Sequence, residues 1–231
     1  ELSAQSELRA IVLKGEGKSF CTGADLDWMK SMVNYTEEQN IQDSNKLFEM
    51  FHTIFECPIP VITLAHGHVM GGATGLLAIS DVVISAHDTK FAFSEVKLGL
   101  APAVISPFVM NRIHPADAHR YMLTGEVFRS DQAVRMGLVH ESVPEDDMEG
   151  QMNLVLENLY ENGPEAVRAT GSVELLRVGI RSKDPVTTRQ AGRVVLMRLR
   201  PQVEKKVRHP SLRLSTSDTN PRPHEYSGRK P

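Results

Sequence analysis

The residues of this chain best placed to do chemistry lie in two glycine-bearing loops. The first reads Ser19-Phe20-Cys21-Thr22-Gly23-Ala24-Asp25-Leu26. The second reads Gly67-His68-Val69-Met70-Gly71-Gly72-Ala73. Each follows a short apolar run that reads as a buried strand, Ala10-Ile11-Val12-Leu13 for the first and Pro60-Val61-Ile62-Thr63-Leu64-Ala65 for the second. Each runs on into a segment of helical character. A strand, a tight glycine turn and a helix start leave backbone N–H groups unpaired and aimed at one spot. Two such loops can converge on one anionic oxygen, which is the geometry of an oxyanion hole. The competing reading is a pair of tight packing turns with no ligand.

Other reactive side chains carry less. His66 and His68 flank Gly67. They can tune a site, but packed or hydrogen-bonded histidines are the expectation. No spacing of His, Cys, Asp or Glu resembles a zinc site, so no metal is expected. Cys21 has no basic partner in the sequence, which argues against a nucleophilic role. Cys21 and Cys57 are the only cysteines, too few for a disulfide scaffold. Reduced thiols in an intracellular compartment are expected.

The elements that must position the loops alternate between strand and helix, so the fold class is α/β. Leu8 to Leu13 reads as an interior strand, with Lys14-Gly15-Glu16-Gly17 as the turn after it. Thr36 to Phe55 has the apolar spacing of a helix and ends at Pro58 and Pro60. Leu76 to Ile79 continues the second loop as a buried helix. Asp81 to Ala86 and Phe91 to Phe93 read as short strands. Helices are expected at Val104–Arg112, Ala116–Leu123, Asp131–Arg135, Asp146–Glu161 and Pro164–Val178, with a strand at Leu138–Val143. Beyond Gly179 the pattern decays. From Arg208 to Pro231 the chain is rich in Pro, Ser, Thr and basic residues, which predicts loop or disorder.

With 231 residues, 41% hydrophobic and 24% charged, the chain is an ordinary globular sequence of one domain, or of one domain plus an appendage. It has no run of eighteen apolar residues, and no membrane partner is expected. The net charge of -3 hides an asymmetry. Residues 171–231 hold 14 Lys and Arg against 5 Asp and Glu, and the rest holds 12 against 24. A basic tail raises the question of nucleic acid, but Tyr226 is its one aromatic residue for base stacking. No nucleic-acid partner is expected.

Five motifs in order resemble the crotonase, or enoyl-CoA hydratase/isomerase, superfamily. They are Phe20-Cys21-Thr22-Gly23-Ala24-Asp25-Leu26, Cys57-Pro58-Ile59-Pro60-Val61-Ile62, the segment from Gly67 to Asp81, Phe93-Ser94-Glu95-Val96-Lys97-Leu98-Gly99-Leu100, and Leu123-Thr124-Gly125-Glu126. The resemblance implies the ClpP/crotonase-like spiral of ββα units followed by C-terminal helices. It implies a crotonase domain over residues 1–178 that lacks the first ββα unit. Residues 179–231 then form an atypical basic tail, expected to be partly disordered. It also implies a homo-oligomer, a trimer or a dimer of trimers.

The shared chemistry of that superfamily is stabilisation of a thioester enolate. Carried over by position, the oxyanion donors are the N–H groups of Ala24 and Gly72, and the acid–base residue is Glu95. Apolar neighbours Phe91, Phe93, Val96 and Leu98 would raise its pKa toward working pH. The motifs place Cys21, Gly23, Asp25, Leu26, Gly71, Gly75 and Leu98 around the substrate. Hydratases of the familiar type use two glutamates, and here the first of those positions is Gly75. A single glutamate is compatible with hydration of an enoyl-CoA and with shift of its double bond; a non-catalytic member of the fold stays open as well. The wording around Glu95 resembles the methylglutaconyl-CoA and isohexenylglutaconyl-CoA hydratases, which implies a branched enoyl-CoA such as 3-methylglutaconyl-CoA and a place in leucine or acyclic terpenoid breakdown. A cation would then face the second carboxylate, with Lys97 as the candidate. No separate cofactor is expected, because coenzyme A is part of the substrate. The family location is the cytoplasm in bacteria and the mitochondrial matrix in eukaryotes.

Overall fold

The computed structural model describes residues 8–171 and 193–199. In chain order the elements are β1 (Leu8–Gly15), α1 (Leu26–Ser31), α2 (Glu37–Phe55), β2 (Val61–Ala65), β3 (His68–Met70), α3 (Gly72–Ala78), β4 (Val82–Ala86) and β5 (Lys90–Ala92). Then follow α4 (Ser106–Arg112), α5 (Pro115–Thr124), β6 (Phe128–Arg129), α6 (Ser130–Met136), β7 (Glu141–Val143), α7 (Met148–Glu161), α8 (Pro164–Gly171) and β8 (Arg193–Leu199).

Five strands form one sheet in the order β7-β4-β2-β1-β8, and every pairing in it is parallel. Parallel sheets are covered on both faces, which is why their strands read as near-continuous apolar runs. In β1 alternate residues go to opposite sides. Ala10 and Val12 join Ile62, Leu64, Ile84, Met148 and Leu156, so α7 closes that face. Ile11 and Leu13 pack with Ile59 and Val61 on the other.

A second, three-stranded sheet has the order β3-β5-β6. Phe91 stacks on Phe128 there, Phe93 packs on it at a tilt, and Tyr121 joins with its ring centroid 4.6 Å from that of Phe128. These rings belong to the larger apolar cluster, which also holds Phe51, Leu77 and Phe108. That cluster lies beneath the two glycine loops.

The helix expected from Thr36 forms over Glu37–Phe55, with Thr36 outside as its cap. Thr36 Oγ1 accepts from the Gln39 N–H, and Gln39 Oε1 accepts from the Thr36 N–H. Such a reciprocal pair satisfies two of the N–H groups a helix start leaves open. The strand expected at Leu138–Val143 is shorter, starting at Glu141. The N–H groups of Leu138 and Val139 donate instead to Ala133 O, closing α6 after a left-handed Gly137. The helix expected at Pro164–Val178 is present from Pro164 to Gly171, and its remainder lies outside the described residues. So does the loop expected from Arg208 onward.

Candidate active site

A single bridge brings the two glycine loops together. Cys21 pairs with Val69 in parallel: the Cys21 N–H donates to His68 O at 3.2 Å, and the Met70 N–H donates to Cys21 O at 3.1 Å. One residue earlier, the Phe20 N–H donates to His66 O at 2.9 Å. The two histidines tie the same loops through their side chains. His66 is buried with Nε2 2.9 Å from Gly17 O, and His68 Nδ1 lies 3.3 Å from Ser19 Oγ. Both are hydrogen-bonded histidines of the loop framework, as expected.

Past the bridge the chains diverge, and a cavity of about 240 Å³ opens between them. Gly23 and Ala24 line it from the first loop, Gly71 and Gly72 from the second. Among the described residues no acceptor takes the N–H of Ala24 or of Gly72. Gly72 is the first residue of α3, where an unpaired N–H is intrinsic to the helix start. A Cβ on Gly72 would have nothing within 4 Å, so its backbone faces open space. Gly71 differs. Its φ of 57° is left-handed, and a Cβ there would stand 3.3 Å from Ser94 Oγ and 3.5 Å from Glu95 Oε1. Glycine at 71 therefore lets Glu95 approach the backbone beside Gly72.

Glu95 opens a short 3-10 turn after β5 and lines the cavity with Ser94. Its Oε2 is buried and has no hydrogen-bond partner. Burial pushes its carboxyl above the ordinary glutamate value, and a hydrogen bond from its own backbone N–H pulls partly the other way. A carboxyl held in that state can carry a proton in either direction.

The remaining residues assigned from the motifs divide. Leu98, 55% exposed, lines the cavity mouth. Cys21, Asp25 and Gly75 stand outside the lining. Cys21 packs on the apolar cluster, with Sγ 3.8 Å from Gly23 O. Asp25 Oδ1 accepts from the N–H groups of Asp27 and Trp28 at 2.8 and 2.9 Å, holding the start of α1. Leu26 is the first residue of that helix. Gly75 is buried in α3, and a Cβ there would meet Ile105 Cγ2 at 2.5 Å and Phe51 Cε1 at 2.9 Å. A side chain at 75 would displace Ile105 or Phe51, and glycine leaves both in place. Lys97 is exposed and lies outside the lining, with its side chain against Gly125.

Sequence reasoning missed part of the wall. Trp28 and Met32 line the cavity from α1 and the turn after it, and Asp43, Ser44 and Leu47 line it from α2. Asp43 is a second carboxylate, and its Oδ2 is likewise buried without a hydrogen-bond partner. A signal for it was present: Asp43 interrupts the apolar spacing of α2 one turn before Leu47.

The chain that builds this cavity has relatives among known proteins. The family model for enoyl-CoA hydratase/isomerase matches residues 1–183. This chain belongs to that family. Its fold is the crotonase fold. The enoyl-CoA hydratase of Shewanella pealeana superposes with a TM-score of 0.72 at 34% identity, over 79% of this chain and 68% of that one. Pseudomonas aeruginosa AtuE superposes with a TM-score of 0.73 at 32% identity, over 78% of this chain and 70% of that one. Enoyl-CoA hydratase ACTT6 of Alternaria alternata is 32% identical over 169 residues, which is 71% of this chain and 53% of ACTT6. The chain thus spans about half the length of that relative.

Proposed function

We propose that the protein is a hydro-lyase that adds water to an enoyl-CoA thioester. The observation that carries this reading is the meeting of the Ala24 and Gly72 loops with Glu95 around one cavity. Hydration needs three things there. The thioester oxygen must be stabilised as negative charge develops on it, which is the task of the two free N–H groups. Each such donor contributes about 3–4 kcal/mol to the transition state. A water oxygen must bond to the β carbon while losing a proton, and Glu95 accepts that proton. The α carbon of the enolate must then gain a proton, and Glu95 returns one. The electron pair of the former double bond ends in the new α C–H bond, so no further reactant is required.

Cavity size supports a modest acyl group. At about 240 Å³ it is smaller than the roughly 300–1,000 Å³ of pockets that enclose a drug-sized ligand. The motif resemblance supports a branched chain, with 3-methylglutaconyl-CoA as the example that carries a second carboxylate. That second carboxylate asks for a cation, and the described lining contains no Lys, Arg or His. The branched chain is the part of that resemblance this reading carries forward.

A second reading, movement of the double bond, is favoured by one observation: the glutamate position at 75 is closed by packing, which leaves Glu95 without its usual partner. Mass-resolved turnover of crotonyl-CoA and 3-methylglutaconyl-CoA separates the two. A hydratase product gains the mass of water; an isomerase acting on a 3-enoyl thioester leaves the mass unchanged. Water addition that persists at the wild-type rate in Glu95→Gln would remove Glu95 from the mechanism. No turnover of any enoyl thioester by the folded protein would favour a non-catalytic member of the family.

A further inference from the structure

Asp43 sits where an amphipathic helix normally places an apolar residue. Residues four and eight positions further along α2 share its face. One is Leu47, which lines the cavity, and the other is Phe51, which is buried under Gly75. The stripe that begins at the core thus ends at the cavity in a carboxylate. Trp28, Met32 and Leu47 line the same cavity. Oδ2 is buried and takes no hydrogen bond from the protein.

The cavity therefore holds two carboxylates, each short of a donor, and no cation among the described lining residues. A buried acceptor without a partner is costly, and a donor brought by a ligand recovers that loss. A third carboxylate brought by a ligand meets other carboxyl groups in the same cavity, with no cation among the described lining residues to offset the repulsion.

We propose that Asp43 is a specificity-determining residue. It makes the cavity favour acyl groups that carry a hydrogen-bond donor, above all a hydroxyl, and turn away acyl groups that end in a second carboxylate. The inference rests on the reading of this cavity as an acyl-thioester site. It narrows that reading in a direction opposite to the dicarboxylic substrate implied by the motif wording. Glu95 moves protons; Asp43 acts on which chain is held.

Calorimetric binding of three saturated, unreactive thioesters tests this: butyryl-CoA, 4-hydroxybutyryl-CoA and glutaryl-CoA. For the wild type, 4-hydroxybutyryl-CoA binds about tenfold more tightly than butyryl-CoA, the scale of one hydrogen bond to a charged group. Glutaryl-CoA binds about tenfold more weakly than butyryl-CoA. In Asp43→Asn, which keeps the size and removes the charge, both preferences shrink to about threefold or less. In Asp43→Leu, which restores the apolar stripe, the hydroxyl preference disappears and butyryl-CoA binds more tightly. Absence of binding by all three thioesters would overturn the acyl-thioester reading and this inference with it. Binding of butyryl-CoA with glutaryl-CoA equal or tighter would overturn the inference about Asp43 alone. So would a preference series that Asp43→Asn leaves unchanged. The wild-type series needs no variant, so it decides the matter even where a substitution folds poorly.

Discussion

Arg112 Nε and Nη1 each donate to a backbone carbonyl, whereas Glu95 and Asp43 each leave a buried oxygen without a partner. Arg112 projects from the end of α4. Its Nε donates to Gly137 O at 2.9 Å, its Nη1 to Ser80 O at 2.9 Å, and its Nη2 lies 3.2 Å from His140 Nδ1. His140 Nδ1 also accepts the Val83 N–H at 2.9 Å, and Asp81 Oδ2 accepts the Val61 N–H at 2.7 Å. This group joins α3, α4, α6 and the strands β2 and β4 using polar atoms alone. Buried polar groups normally find partners, because an unpaired one costs about 1–3 kcal/mol. The joint obeys that rule and the cavity breaks it. On the reading proposed above, the difference separates a region that completes itself from one that a ligand completes.

The sharpest way to break the comparison is one substitution in each region. Glu95→Gln should lower turnover by about 10²–10⁴-fold, the range for loss of a positioned acid–base group. Its melting temperature should be no lower than wild type at pH 8. The folded-state pKa of Glu95 lies above its unfolded value, so the unfolded chain releases this proton first. Stability is lost as pH rises from the ordinary glutamate value through the folded one, and glutamine removes that loss. Arg112→Ala should do the reverse. It strands the Ser80 and Gly137 carbonyls and costs about 2–4 kcal/mol in denaturant unfolding. Turnover per folded molecule should stay within about twofold, because the joint does not touch the cavity. A large loss of turnover in the refolded Arg112 variant would mean that the two regions are one.

The two regions also differ in how much the sequence disclosed. Strands β1, β2 and β4 were legible because both faces of a parallel sheet are buried and their apolar runs are nearly continuous. The glycine loops were legible because a tight turn is local. Strands β3 and β6 were not, having three and two residues and existing only through partners distant in sequence. Strand β8 lies beside β1, yet its Val194-Val195-Leu196-Met197 run sits in a basic, proline-bearing segment that hides it. Glu95 was reached through its motif. Asp43 was missed because a polar residue on a long helix is usually solvated, and only tertiary packing turns it inward. The Arg112 joint left no motif, since its partners are mostly backbone carbonyls and N–H groups, which any sequence supplies.

A pH series sharpens the comparison further. Burial and the neighbouring Arg112 hold His140 below the usual histidine range. Its Nδ1 accepts a proton-bearing N–H from Val83, so protonation there removes a bond that the sheet uses. The unfolded chain binds this proton first as pH falls. Stability is therefore full above the ordinary histidine value and declines as pH drops through it toward the folded value. The slope is at most about 1.4 kcal/mol per pH unit for one proton. Unfolding measured between pH 7.5 and 5 should show this decline in the wild type and a flatter one in His140→Asn. An identical slope in both would assign the acid sensitivity to other groups.

Ser85 provides the smallest and most discriminating test. Its Oγ is the third buried side-chain atom without a partner among the described residues, and it lies in β4, away from the cavity lining. If unpaired polar atoms were retained only where a ligand completes them, Ser85 would be a contradiction. A hydroxyl is the least costly group to leave unpaired, because it carries no charge and its hydrogen can rotate toward any weak acceptor. Ser85→Ala removes the orphan oxygen and almost no volume, so it should be neutral or stabilising by up to about 1 kcal/mol. Turnover should not change. A destabilisation above about 1 kcal/mol would mean that Ser85 has a partner in solution, such as a buried water, and belongs with the joint. A neutral result would leave the two orphan carboxylates as the buried groups whose missing partners call for a ligand.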